Sequence, residues 1–393
     1  MMPHLSQASI VRVNGPTAYI ILYACMYAAF GAASPFWPKF FEAKALLPEE
    51  IGFVVGAAML VRLAAGPFIG RIADRWGSLR LVLATCAVLA AATAMALSRT
   101  DTFWRLLLIA LVQAAALAPM TSVADALSVN SAKPQLASKP FEYGWIRASG
   151  SAAFAIGVVI VGQLISRDNL KPIIWTNVTL LAAAGGATAL LPSANTPSQL
   201  RPPTDLVGLG GLLTNQRYRT VIIVSALVYG SHAMHDAFAV IRWSDAGIDT
   251  SVIGTLWAEA VGAEVMVFSL FGPALVGRLG VHGAAALSAL AGIVRWSIAG
   301  VSTSVMVLSI VQPLHGLTFA LLHLACMRTM SDVVPSNLSA TAQAFYAFGS
   351  GLLTAGLTIL SGTLYASYGG ASFFFMAALC GAALPLVRFG LAE

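Results

Sequence analysis

"GPFIGRIADRWGSLR", residues 66–80, decides how this chain is read. It carries Arg71, Arg75 and Arg80 around a single carboxylate, Asp74, with Gly70 and Gly77 spaced to allow a tight turn. Apolar runs flank it, near 50–69 and near 79–98. A helix needs about 20 apolar residues to cross a bilayer, so the stretch reads as a short basic loop joining two membrane-crossing helices. Its arginines would hold it at the cytoplasmic face, where Lys and Arg accumulate. Asp74 would face helix ends or basic partners.

The same punctuation extends along the chain. Of 393 residues, 58% are hydrophobic and 10% charged, against about 25% charged in a soluble domain. That leaves too little polar surface for water, so the chain is expected to be an integral all-α membrane protein. Gly, Pro and charge clusters separate spans near 17–40, 50–69, 79–98, 103–128, 142–165 and 172–191. A second set follows near 219–241, 251–275, 283–300, 304–327, 340–365 and 371–390. Between them lies a Pro-, Gly- and polar-rich linker, so the expected domains are 1–191, a cytoplasmic linker at 192–218, and 219–393. Of the 22 Lys and Arg, twelve fall on the loops and tails that share a side with both termini, seven on the other side and three within spans. The excess predicts cytoplasmic termini. The N-terminus shows no apolar core with a cleavage site, so no cleaved signal is expected. Cys25, Cys86, Cys326 and Cys380 lie in apolar runs as packing residues rather than disulfide partners. The net charge of +6 is scattered, which gives no nucleic-acid stripe, and no Gly-Lys-Ser/Thr phosphate loop marks an ATP motor.

Gly70, Asp74, Arg75, Gly77 and Arg80 together resemble the loop signature of the major facilitator superfamily. "GPALVGRLGVHG" at 272–283 looks like a worn second copy, keeping Gly272-Pro273 and Gly277-Arg278 without the aspartate. Twelve spans, a central linker and a repeated loop imply two pseudo-symmetric six-helix bundles. "FEYGWIRASGSAAFAIG" (141–157), "LAGIVRWSIAG" (290–300) and "VQPLHGLTFALLHLACMR" (311–328) are similar to helices 5, 9 and 10 of the lactose permease and phenylpropionate permease branch of proton symporters. "SHA" in span 7 and "AEVMVF" in span 8 resemble the phenylpropionate permease group.

Charged groups at membrane depth are costly and normally face a cavity or a partner. Asp125 and Arg147 sit at the facing inner ends of spans 4 and 5 and can meet across that hairpin. The resemblance places them where this branch binds sugar through an acid and an arginine, with Asp125 in place of a glutamate; a purely structural ion pair is the alternative. Arg295 and His315 match the branch's proton-coupling cluster. The acid that should follow three residues after the histidine is Thr318, which makes Glu264 in span 8 the leading replacement. Glu259, five residues earlier, points about 140° away around the helix and is expected near the outer mouth. His232 and Asp236, four apart, share a helix face, with His235 beside it; such a group suits proton uptake or a substrate carboxylate, or else an interhelical hydrogen bond. His323 is expected to make an interhelical hydrogen bond. Arg62 is expected to line the cavity or pair with Asp125. Tyr19, Tyr23 and Tyr27 form an aromatic stripe with Phe30, either packing or a wall for a flat substrate. No metal site or cofactor is expected.

These residues and the resemblance imply a secondary active transporter of a small organic solute working by alternating access. The favoured form is proton-coupled symport of an aromatic carboxylate such as 3-phenylpropionate, by a monomer in a bacterial-type inner membrane. The alternatives are a sugar or nucleoside symporter, a drug or metabolite exporter and, more distantly, a non-transporting sensor or scaffold. An enzyme is not expected, since the His–Asp group has no nucleophile or metal-ligand set beside it.

Overall fold

The computed structural model describes residues 15–76, 78–132, 143–166, 168–192, 212–335 and 338–391. Ten helical stretches among them are long and apolar enough to cross a membrane. Two of these, Thr250–Val301 with 52 residues and Thr341–Gly390 with 50, are each long enough to cross twice. Each doubles back at a glycine with positive φ, Gly280 (φ 68°) and Gly369 (φ 54°), a conformation that side chains with a Cβ resist. The described residues therefore make twelve crossings in two six-helix bundles.

The first bundle contains span 1 (Gly15–Ala33), span 2 (Pro48–Trp76), span 3 (Leu79–Ser98), span 4 (Phe103–Leu117 and Met120–Ala132), span 5 (Tyr143–Leu164) and span 6 (Lys171–Ala187). The second contains span 7 (Gln216–Gly230 and Ala233–Asp245), span 8 (Thr250–Met266, continued by a wide turn over Val267–Phe271) and span 9 (the part of Gly272–Val301 beyond Gly280). Span 10 (Val305–Val311 to Leu322–Val333), span 11 (Ser339–Tyr368) and span 12 (Phe373–Gly390) complete it. Most of the expected linker, 193–211, lies outside the described residues.

Two expectations need correction. The first run, 17–40, is not one helix: it stops at Ala33 and restarts as Trp37–Ala43, because Pro35 and Pro38 have no N–H to continue the ladder. Span 2 does not end near 69 but runs unbroken to Trp76 with Pro67 inside it. Gly70 therefore sits within the helix, with open space where a Cβ would go, and makes no turn. Helical hydrogen bonding continues past the hydrophobic boundary, which a hydropathy reading does not detect. Gly77 and the Asp74 side chain lie outside the described residues. Arg80 donates to the carbonyls of Ala189 (2.9 Å) and Leu191 (3.2 Å), tying the start of span 3 to the end of span 6. A cation there also suits the negative end of a helix.

The bundles meet at the ends remote from Gly15 and Gly390. There span 2 packs on span 11 and span 5 on span 8. Small residues allow this approach. A Cβ on Gly162 would lie 2.8 Å from the Thr250 carbonyl oxygen, and one on Gly52 would lie 2.8 Å from the Gly362 nitrogen. Thr250 also donates to the Ile165 carbonyl (2.7 Å), and Lys39 reaches Asp245 at 3.3 Å. The molecule is closed on that face, with a cavity between the bundles behind the seal.

Candidate transport site

The cavity holds about 520 Å³, within the range usual for small-molecule sites. Each bundle supplies one wall.

On the first wall, the tyrosine stripe of span 1 turns toward spans 4 and 5. Tyr19 bonds the Leu127 carbonyl (3.0 Å) and Ser131 (2.7 Å), and Tyr23 donates to Asp125 (2.5 Å); both rings are fully buried. Of the stripe, Tyr27 reaches the cavity, where it accepts a hydrogen bond from Arg147. The Arg147 guanidinium also lies 5.1 Å over the Tyr27 ring, a cation–π contact. Gly150 permits this arrangement, since a Cβ there would press on the Tyr27 ring at 3.0 Å. Asp125 stands behind Arg147 at 3.6 Å, so the two meet across the hairpin. The alternative of an Arg62–Asp125 pair is not formed: Arg62 lines the cavity and makes no hydrogen bond or ion pair among the described residues.

The second wall is built around Arg295, which is 1% exposed and stacked 4.4 Å over Trp296. Arg295 donates to His315 Nδ1 (3.1 Å) and to Gln312 Oε1 (3.0 Å). An arginine can only donate, so it sets the polarity of everything downstream. Because His315 Nδ1 accepts, its hydrogen sits on Nε2, which faces Glu264 at 3.3 Å. The Gln312 amide nitrogen faces His235 Nε2 at 3.3 Å, which leaves the His235 hydrogen on Nδ1, pointing at Asp236 at 3.1 Å. Two branches thus run outward from one buried guanidinium, each ending at a carboxylate on the cavity. His235 packs against Trp257 with ring centres 4.7 Å apart and the rings tilted by 30°.

The structure brings Arg62, Arg147, His235, Asp236, Glu264, Arg295 and His315 onto one cavity, with Asp125 directly behind. The acid missing from span 10 is supplied by span 8, and Thr318 instead bonds His232 Nε2 at 3.0 Å. His232 and Asp236 share a helical turn and line one pocket, as expected, but the side chain bonded to Asp236 is the adjacent His235. Span 7 breaks at Ser231–His232, and the His232 ring turns to span 10 rather than along its own helix. Glu259 does not line the cavity but packs against Ser309 on span 10, at 3.3 Å. His323 bonds Tyr346 across spans 10 and 11 at 3.3 Å, as expected. Among the described residues, no group of three or more His, Cys, Asp and Glu could hold a metal ion. Sequence reasoning missed Gln312, which carries one branch from Arg295 to His235; its one signal is a polar amide three residues before His315 in an apolar span.

Comparisons with known proteins agree with this architecture. The "MFS_1 like family" model matches residues 17–377. The probable 3-phenylpropionic acid transporter of Escherichia coli (strain K12) is 31% identical, over 90% of this chain and 92% of that one. The maltose permease of Geobacillus stearothermophilus is 24% identical, over 88% of this chain and 87% of that one. The crystal structure of the nucleoside transporter NupG superposes with TM-score 0.82 at 18% identity, covering 96% of this chain and 98% of that one. A multi-pass membrane protein of this fold, matched along most of its length, belongs to the MFS_1-like family of major facilitator transporters, not to the enzymes.

Proposed function

We propose that the chain is a proton-coupled symporter of small aromatic carboxylates, with 3-phenylpropionate as the favoured substrate. The observation that carries this is the Arg62 guanidinium, which lines the cavity without a carboxylate partner among the described residues, on a cavity it shares with the aromatic side chains of Tyr27, Trp37, Phe154 and Trp257. Cations at membrane depth are costly unless paired, and a substrate carboxylate held by Arg62 and Arg147 supplies the direct partner that Arg62 lacks. The substrate's ring then lies among the aromatic walls. The 31% identity to a probable 3-phenylpropionic acid transporter supports the same substrate class. Asp236 and Glu264 are the proton carriers, each reached by one branch from Arg295. The transporter works as a monomer in a bacterial-type inner membrane with cytoplasmic termini, so the closed face is the outer one. The two bundles rock around the cavity.

A second reading, a sugar symporter, draws on the maltose permease likeness and on the Asp125–Arg147 pair. Uptake of labelled 3-phenylpropionate into proteoliposomes separates the two. The expected result is protein-dependent uptake stimulated by an inward proton gradient, lost in Glu264→Gln or Asp236→Asn and unaffected by excess maltose. Competition by maltose, or no uptake by folded protein, would refute the aromatic-acid reading.

A further inference from the structure

The charges around the cavity cancel, and this has a consequence for what can cross. The cations are Arg62 on span 2, Arg147 on span 5 and Arg295 on span 9. The anions are Asp236 on span 7, Glu264 on span 8 and Asp125, the partner of Arg147 on span 4. The titratable neutral groups are also accounted for. His315 and His235 each accept at one ring nitrogen from a donor group, so each carries a single hydrogen. His232 bonds the Thr318 hydroxyl, and His323 and Tyr346 bond each other. Tyr27 accepts from Arg147. Glu259 lies outside the cavity and bonds Ser309.

We infer, resting on the aromatic-carboxylate reading, that this cavity admits monoanions together with one proton each, and that both the loaded and the empty carrier change face without moving net charge. With three guanidiniums against three carboxylates, the empty cavity is neutral and can close. A monoanion alone leaves one uncompensated charge in an occluded, low-dielectric space, a heavily penalised state. One proton taken up by Asp236 or Glu264 restores neutrality. A proton without substrate leaves the opposite excess, so the same balance suppresses proton leak. A dicarboxylate needs two protons, and a neutral amide needs none.

The test uses the full chain in proteoliposomes with labelled 3-phenylpropionate. Rates in protein-free vesicles are subtracted to remove passive entry of the neutral acid. The initial rate is measured at a fixed inward proton gradient, with and without an inside-negative potential set by valinomycin and a potassium gradient. A potential of 100 mV does work of about 2.3 kcal/mol on each charge moved, so any net charge in the cycle registers clearly. The expected result is a rate indifferent to the potential, with one proton taken up per labelled anion as read by a pH dye. Phenylsuccinate, a dianion, should compete poorly, whereas its monoamide should compete well. Acceleration by the inside-negative potential, which means more than one proton per anion, overturns the inference; so does slowing, which means the anion travels alone. Either result leaves the aromatic-acid reading standing. Absence of protein-dependent uptake overturns that reading and this inference with it.

Discussion

Gln312 offers the sharpest test of the second wall, because two of its substitutions should separate stability from transport. In Gln312→Leu the side-chain volume is nearly kept, but the acceptor for Arg295 at 3.0 Å is lost. Arg295 is 1% exposed and its Nε already has no partner, so no solvent can take over the released donor. A hydrogen bond to a charged group contributes about 1.5–3 kcal/mol, and an orphaned buried donor raises the penalty, which gives an expected loss of about 2–4 kcal/mol. In Gln312→Glu the acceptor for Arg295 survives, so stability should stay within about 1 kcal/mol. The amide donor to His235 is replaced by an acceptor, however. His235 must then carry its hydrogen on Nε2, and Asp236 loses its bond to Nδ1 at 3.1 Å. Proton-stimulated uptake should fall about tenfold or more, equivalent to about 1.4 kcal/mol. Stability is read from reversible unfolding in mixed SDS micelles and transport from proteoliposomes. A leucine variant as stable as the parent, or a glutamate variant that transports normally, would refute the assigned polarity of the network.

Three further outcomes follow from contacts elsewhere. Gly162→Val should wedge spans 5 and 8 apart, since even a Cβ meets the Thr250 carbonyl oxygen at 2.8 Å; a cysteine placed in the cavity should then react faster with a membrane-impermeant maleimide added from the presently closed face. Ser231→Ala removes the acceptor of the buried Trp296 indole N–H at 2.7 Å and should lower stability by about 1–3 kcal/mol in the same SDS unfolding assay, and the same substitution should cost less in a Trp296→Phe background, where no indole donor is left to orphan. Arg80→Ala frees the carbonyls of Ala189 and Leu191 and should cost about 1–2 kcal/mol, whereas Arg80→Lys, which can still donate, should lose less.

The fold and the site were legible to different degrees, for a physical reason. Hydropathy is a property of the chain in one dimension, so crossings could be counted from runs and breakers. The counting failed where backbone hydrogen bonding ignored hydropathy, as at Gly70 inside span 2 and at Ala33, where the first run stops at prolines. The site depends on how helices are rotated about their axes, and that is set by contacts between residues distant in sequence. Asp125 and Arg147 could be paired because a short hairpin limits their relative positions. His232 and Asp236 do share a helical turn, with the Asp236 N–H on the His232 carbonyl at 2.9 Å, but the i, i+4 rule says nothing of partners off the helix: Thr318 on span 10 takes the His232 ring and the adjacent His235 takes Asp236. Span 10 takes a wide turn over Gly316–Leu321, just after His315, and this changes the facing of its later residues, Thr318 among them. Such turns concentrate at functional sites.

The missed Gln312 shows the same limit from the other side. An amide in an apolar span reads as one more packing polar group until Arg295 is known to face its oxygen and His235 its nitrogen. Three spans must be placed before the amide acquires a direction. Once it does, the guanidinium, which can only donate, determines the tautomers of two histidines and aims both hydrogens at carboxylates on the cavity. The chemistry of the wall therefore resides in an order of donors and acceptors across spans 7, 8, 9 and 10. A list of its charged residues, read along the chain, contains every end of that order and none of its direction.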